Sequence, residues 1–243
     1  MDIKRPHMAT LPRFHFNEQT LDTSPAALSL LRSSADARED REELHQRMAH
    51  DGYLFLPRLL DRDQVQAART SSLERLAEQD IFLPGHPLDQ ALLKPRVHMR
   101  SAARDVTLDN LPLFDLLYSS HMIEFYEFFL GDKVRHFDYT WFRVKPPEST
   151  STTPHYDIVY MGRGTTQLFT SWVPFGKTPL DMGGLMILEG SHKLTDLRNT
   201  SWGENLRAVV TDLLAEGSVQ PRVQVRQLSL IHISEPTRRT PIS

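Results

Sequence analysis

The chain has 243 residues, of which 40% are hydrophobic and 24% charged, a composition that lets one large domain bury a core. Its formal net charge is -3 and it contains no long basic run, so neither a nucleic-acid groove nor an anionic membrane surface is expected as its partner. There is no cysteine, which excludes disulfides, thiolate metal sites and a cysteine nucleophile, so any metal must be held by His, Asp or Glu.

The N-terminal part is predicted to be mostly helical. Residues 1–23 are polar and contain two prolines, which predicts a flexible arm. They lack the apolar core of a secretory signal, which predicts a cytoplasmic protein. In residues 24–50, apolar side chains recur at helical spacing and predict one or two amphipathic helices. The apolar run 53–56 before a proline predicts a buried strand. Asp61, with Gln64 three residues later, predicts the start of a helix that runs to about residue 79.

The remainder of the chain changes from helix to strand. Prolines predict loop with short strand pieces in 81–104, and strong apolar periodicity predicts one helix or a pair of helices in 111–130. The aromatic, alternating stretch 134–144 and the segments 168–173 and 185–188 are predicted strands. Helices followed by short antiparallel strands indicate an α+β or mostly β protein, a β-sandwich or barrel with added helices.

The tripeptide His155-Tyr156-Asp157 is the most informative motif for chemistry. In an extended segment, side chains two residues apart point the same way, so an imidazole and a carboxylate can bind one metal ion. Such a pair with a distant second His forms the facial triad of non-haem Fe(II) oxygenases. A surface loop or a His–Asp hydrogen bond in the core is the alternative interpretation of the same three residues.

Several motifs accompany this tripeptide in a fixed order. DGYLFL (51–56) precedes it at a distance, and TWFRVKPP (140–147) lies directly upstream. TSWVP (170–174) and DMGGLMILEGSHK (181–193) follow. Over about residues 44–200, this series resembles the phytanoyl-CoA dioxygenase family of Fe(II)- and 2-oxoglutarate-dependent dioxygenases.

The resemblance implies a fold and a site. The fold would be a double-stranded β-helix, a cupin-like jelly-roll with supporting helices on its N-terminal side, formed by residues 24–227. His155 and Asp157 would bind Fe(II), and Trp172, Tyr139 and Trp141 would line the 2-oxoglutarate pocket. Core packing between two sheets is the alternative role for these aromatic residues.

The resemblance also implies an activity. The enzyme would hydroxylate a small organic substrate with O2 and release succinate and CO2. Hydroxylation is expected because Asp157 fills the position where halogenating relatives carry a small residue. His192, in the Gly-Ser-His turn, would stabilise the turn by hydrogen bonding rather than bind metal.

The sequence departs from the family pattern near its C-terminal end. The family requires a second His and, after it, an Arg that pairs with 2-oxoglutarate, and His232 is the only histidine after His192. Residues 228–243 look like a translated adapter sequence, so we predict a non-native tail and a jelly-roll that lacks its last strands. The second His and the Arg would be missing with those strands, and the remaining two-ligand site would bind iron poorly and leave this chain inactive. The opposing interpretation makes His232 the third ligand, with Arg238 or Arg239 as the co-substrate clamp.

Two other function classes remain as alternatives. A non-catalytic jelly-roll that binds a small molecule would share the fold but produce no succinate. A serine hydrolase would need a nucleophile elbow, and the G-x-S-x-G pattern of that elbow does not occur in the sequence. Neither the primary substrate nor the oligomeric state follows from the sequence.

Overall fold

A computed structural model of the chain describes residues 15–16, 19–20, 22–24, 27–95, 97, 102–137, 140–144, 167–178, 184–193, 220–223 and 230–234. Within these ranges the helices are Arg41–Asp51 (α1), Arg62–Ala77 (α2), Ala102–Thr107 (α3), Leu111–Tyr118 (α4) and Ser120–Leu130 (α5). The strands are His15–Phe16 (β1), Gln19–Thr20 (β2), Ser29–Leu30 (β3), Tyr53–Pro57 (β4), Thr170–Trp172 (β5), Met186–Glu189 (β6), Gln220–Val223 (β7) and Leu230–Ser234 (β8). None of the helices in these ranges is long and apolar enough to cross a membrane.

The described strands form three small sheets. β1 and β2 pair as a hairpin, and the other two sheets have the strand orders β3-β7-β6 and β4-β8-β5. All pairs are antiparallel except β3 with β7, which is parallel. The described residues therefore show a mixed helix and strand architecture. A jelly-roll is not seen within them and remains a prediction.

Helix α1 begins and ends at residues suited to those positions. The side chain of Asp40 accepts a hydrogen bond from the backbone N–H of Glu43, and Gly52 closes the helix in the left-handed conformation. Leu44 and Met48 are buried, as their helical spacing predicts.

The prediction of helix before residue 40 is wrong for the described residues. There the chain forms β3 and a short 3-10 helix at Ala35–Ala37. The backbone N–H of Ser34 donates to the carbonyl of Phe55, so a strand partner takes a group that a helix would need.

Helix α2 follows the sequence prediction closely. Asp61 accepts hydrogen bonds from the backbone of Asp63 and Gln64, as expected of an N-cap residue. The predicted buried side is confirmed, since Val65, Ala68, Leu73 and Leu76 are all buried. The helix ends at Ala77, two residues before the predicted end.

The apolar segment 111–130 forms a pair of helices. Asn110 caps α4 by accepting a hydrogen bond from the backbone of Leu113, and extended backbone at Ser119 separates α4 from α5. The helices pack with α1, α2 and β4 around one core, and we call the helices α1, α2, α4 and α5 with the segments that join them the helical layer. Its buried members are Ala37, Leu44, Met48, Leu54, Leu56, Leu59, Leu60, Val65, Ala68, Leu113, Leu116, Met122, Phe125 and Phe129.

The strand predictions have mixed outcomes. Strands are confirmed at β4, β5 and β6, and at Gln220–Val223 within the predicted segment 220–227. The described residues of 134–144 form no strand. A bond from the backbone N–H of Phe142 to the carbonyl of Thr140 tightens the chain there and interrupts the extended conformation that a ladder requires.

Candidate functional site

The sheet β4-β8-β5 has one face against the helices. Leu54 and Leu56 of β4 belong to the helical core, and the Ser171 hydroxyl of β5 lies 2.6 Å from the Tyr126 hydroxyl of α5. Side chains alternate along a strand, so Phe55 and Trp172 point to the opposite face. We call that face, with the described side chains of Tyr53, Phe55, Thr170 and Trp172, the distal face.

Trp172, predicted to line a co-substrate pocket, lies on the distal face and is partly buried. Strand β8 runs between β4 and β5, and its register sets residue 232 opposite both Phe55 and Trp172. Part of the segment predicted as a non-native tail is therefore the central strand of this sheet. Whether that segment is native, and whether His232 binds metal, remain predictions.

Three of the predicted site residues, His155, Asp157 and Tyr139, lie outside the described residues. Within the part of the chain that the structure describes, no three His, Asp or Glu side chains come close enough together to hold a metal ion. The predicted iron centre is thus neither built nor contradicted by the described geometry.

Trp141 is more exposed than a core residue. Its exposed fraction is 38%, and the Arg143 guanidinium carbon lies 5.5 Å from its ring centroid, in a cation–π contact. The neighbouring Thr140 hydroxyl forms a hydrogen bond with the hydroxyl of Tyr118 in α4. Core packing therefore does not describe Trp141, and its role in a co-substrate pocket remains a prediction.

Two of the motifs that carry the family resemblance meet in space. The Glu-Gly-Ser-His turn after β6 docks on the Asp-Gly-Tyr segment between α1 and β4, and we call this contact the turn–strand junction. The backbone N–H of Gly190 donates to the Asp51 carbonyl at 3.4 Å, and the Tyr53 hydroxyl donates to the Glu189 carboxylate at 3.4 Å. This contact, between segments far apart in the sequence, was not predicted.

His192 and Gly52 form the centre of the turn–strand junction. The Nε2 atom of His192 is 3.0 Å from the Ala49 carbonyl, so the predicted hydrogen-bonding role of His192 is confirmed. Gly52 has φ +80, and a Cβ atom added there would lie 2.3 Å from Nδ1 of His192. Glycine is therefore required at residue 52 both by its backbone conformation and by the imidazole ring.

A buried carboxylate lies beside the junction. Asp51 is 3% exposed and lies at the C-terminal end of α1, where the helix dipole disfavours negative charge. The Arg32 guanidinium is 2.8 Å away and compensates the buried charge, and Nδ1 of His50 is 2.6 Å away. This cluster holds β4 at its start, next to the distal face.

A separate groove with a volume of about 310 Å³ lies between α1 and α5. His45 stacks on the ring of Phe129 at 4.4 Å, and its Nε2 is 2.7 Å from the Phe129 carbonyl, so that histidine is engaged in holding the two helices together. The groove is lined by Glu42, His45, Gln46, Met48, Ala49, Phe129 and Phe169.

Comparison with known proteins bears on what this site does. No known protein-family profile matches the chain. The chain is 28% identical over 161 residues to 1-deoxypentalenic acid 11-beta-hydroxylase of Streptomyces arenae, and 28% identical over 162 residues to the enzyme of the same name from Streptomyces exfoliatus. The chain is a distant homologue of a hydroxylase. Each match covers 64% of this chain and 56% of the relative, so the chain spans about half the length of the curated relatives it matches.

Proposed function

We propose that the chain belongs to the phytanoyl-CoA dioxygenase type of Fe(II)- and 2-oxoglutarate-dependent oxygenases and hydroxylates a small organic substrate. The observation that carries the proposal is the 28% identity with a hydroxylase over 161 residues. The motif series supports the same family, because the motifs occur along this chain in the order that is expected of the family. The proposed fold of the whole domain is the double-stranded β-helix of that family.

The donor chemistry fits the proposed metal. An imidazole and a carboxylate, supplied by His155 and Asp157, are ligands suited to Fe(II), and their spacing lets an extended chain present both to one ion. When bound, Fe(II) with 2-oxoglutarate and O2 would supply the oxidation of a substrate C–H bond to an alcohol, with conversion of 2-oxoglutarate to succinate and CO2.

The remaining residues would shape the pocket. Trp172 and Phe55 give the distal face an aromatic surface, which is suited to excluding water from a reactive centre and to packing against an apolar substrate. The named substrate of the two relatives is a carboxylic acid, 1-deoxypentalenic acid. A carboxylic acid is therefore the substrate class to assay first.

An anaerobic titration of the purified chain with Fe(II) and 2-oxoglutarate tests the proposal. We expect a visible metal-to-ligand charge-transfer band that is lost in His155→Ala and in Asp157→Ala. The matched control is His86→Ala, since His86 is an exposed histidine in a loop of the helical layer. A band that survives His155→Ala would refute the assignment of His155 as a ligand. A folded wild-type chain without the band would refute hydroxylation by this chain and agree with the predicted lack of a third ligand.

Two further measurements separate the alternatives. Succinate formation that depends on Fe(II) and on the organic acid is expected of an oxygenase, whereas a non-catalytic binder would retain the acid without forming succinate. His232→Ala tests the third ligand. Loss of the band in this variant would assign His232 to the metal, and persistence of the band would leave the metal to other donors.

A further inference from the structure

On its helix-facing side, the segment 169–173 around β5 carries one polar residue between two apolar ones. Phe169 packs edge-to-face on Phe129, with ring centroids 5.3 Å apart and an interplanar angle of 82°, and Val173 also packs against the helical core. Ser171 lies between them in the strand alternation and bonds the hydroxyl of Tyr126 at 2.6 Å. A hydroxyl pair thus interrupts an otherwise apolar contact between α5 and β5.

This pair distinguishes one strand register from its neighbours. Burial raises the pKa of Tyr126 well above its ordinary value, so its hydroxyl stays protonated and, away from water, needs a hydrogen-bond partner. A slip of β5 by two residues would bring Phe169 or Val173 to the Tyr126 hydroxyl and leave it without that partner. Leaving a buried polar group unsatisfied is costly, whereas the apolar contacts alone would tolerate the slip.

Trp172 is the next residue along the strand and points to the distal face. Any change in the register or depth of β5 would therefore move its indole directly. We propose that Tyr126 is a positioning residue that acts through Ser171 to hold Trp172 at the co-substrate pocket. The functional half of this inference, the effect on the co-substrate pocket, rests on the proposed function. The geometric half, the placement of Trp172 by Tyr126 and Ser171, does not.

The geometric half is tested by fluorescence. The chain has three tryptophans, so Trp141→Phe with Trp202→Phe leaves Trp172 as the sole emitter. In that background, Tyr126→Phe and Ser171→Ala are expected to shift the emission of Trp172 to the red and to increase its quenching by acrylamide. The matched control is Ser71→Ala, which removes a serine hydroxyl bonded to Asn110 at 2.9 Å in the helical layer, away from β5.

The functional half is tested by affinity for 2-oxoglutarate. In the otherwise wild-type chain, with Fe(II) under anaerobic conditions, Tyr126→Phe is expected to raise the Kd for 2-oxoglutarate about fivefold, the factor equivalent to about 1 kcal/mol for one hydrogen bond. Ser71→Ala should lower the melting temperature without changing that Kd.

The outcomes separate the two proposals. Unchanged emission and quenching of Trp172 in both Tyr126→Phe and Ser171→Ala would overturn the positioning role, whatever the chain binds. A changed emission with an unchanged Kd would overturn its link to the co-substrate. Absence of the charge-transfer band in the wild-type chain would instead refute the proposed function, and the fluorescence result would still decide the positioning role.

Discussion

Gly52→Ala tests whether the turn–strand junction is as tightly packed as the structure indicates. The new methyl group would lie 2.3 Å from Nδ1 of His192, closer than two unbonded atoms can approach, so the imidazole must move. Its bond to the Ala49 carbonyl would then be lost. Residue 52 also has φ +80, where an L-residue is strained.

The expected magnitude has two parts. The left-handed conformation costs an alanine about 1–2 kcal/mol, and the lost hydrogen bond costs about 1 kcal/mol. Gly52→Ala should therefore lower the free energy of unfolding by about 2–3 kcal/mol. Gly85→Ala is the matched control, because Gly85 has φ +79 but no atom lies within 4 Å of its added Cβ. Gly85→Ala should show the conformational part alone.

Urea unfolding of four variants measures these terms. Besides the two glycine variants, His192→Ala removes the ring, and the double variant Gly52→Ala/His192→Ala removes the clash. Since the hydrogen bond is already lost in Gly52→Ala, adding His192→Ala should cost little more, and the two effects should be strongly non-additive. Equal costs for Gly52→Ala and Gly85→Ala, or additive costs in the double variant, would refute the reasoning.

Three further predictions concern α2, the segment before α1, and the core between β4 and the helices. Asp61→Ala should cost about 1 kcal/mol of unfolding free energy because α2 loses its N-cap; a urea midpoint equal to wild type would contradict that role. Asp36→Asn should cost less than about 1 kcal/mol at neutral pH, since the carboxylate is exposed and its ion pair is screened. The hydrogen bonds from Arg47 hold the pKa of Asp36 at about 2, below its ordinary value, so this contribution is present above about pH 4 and is lost as the pH falls towards 2. Stability measured across that pH range should show wild type and Asp36→Asn converging on the acid side, and a constant gap would argue against the pair. Leu54→Ala should cost about 2–5 kcal/mol because the side chain is fully buried, whereas Leu111→Ala, at a residue 72% exposed, should stay within about 0.5 kcal/mol of wild type by thermal unfolding.

Local signals in the sequence predicted the helical layer well. The spacing of Asp61 to Gln64 predicts the start of α2, and the apolar residues of α2 repeat at the period of a helix. Residues close together in the sequence are therefore enough to predict this helix. The buried strand β4 was likewise predictable, because a short apolar run bounded by a glycine and a proline is typical of a buried strand.

Predictions failed where a distant segment decides the conformation. Residues before Asp40 have helical spacing, but the Ser34 backbone bonds Phe55, which a local pattern cannot reveal. The stretch 134–144 alternates like a strand, yet a strand also needs a neighbour, and alternation says nothing about which segment that is. For the candidate site, the motifs predicted the hydrogen-bonding role of His192, but not that the turn of His192 rests on Gly52.

The connectivity of the described strands has a consequence for the order of folding. The contacts of α2 with α4, and of α1 with β4 and α5, join segments that are much closer in the chain than the partners β3 with β7 and β4 with β8. Closing such long loops costs entropy before any strand contact forms, so distant pairing is slow. The helical layer should therefore form early and serve as the surface on which both sheets assemble. In pulse-labelling hydrogen exchange, the amides of α2 and α5 should become protected before those of β5 and β6.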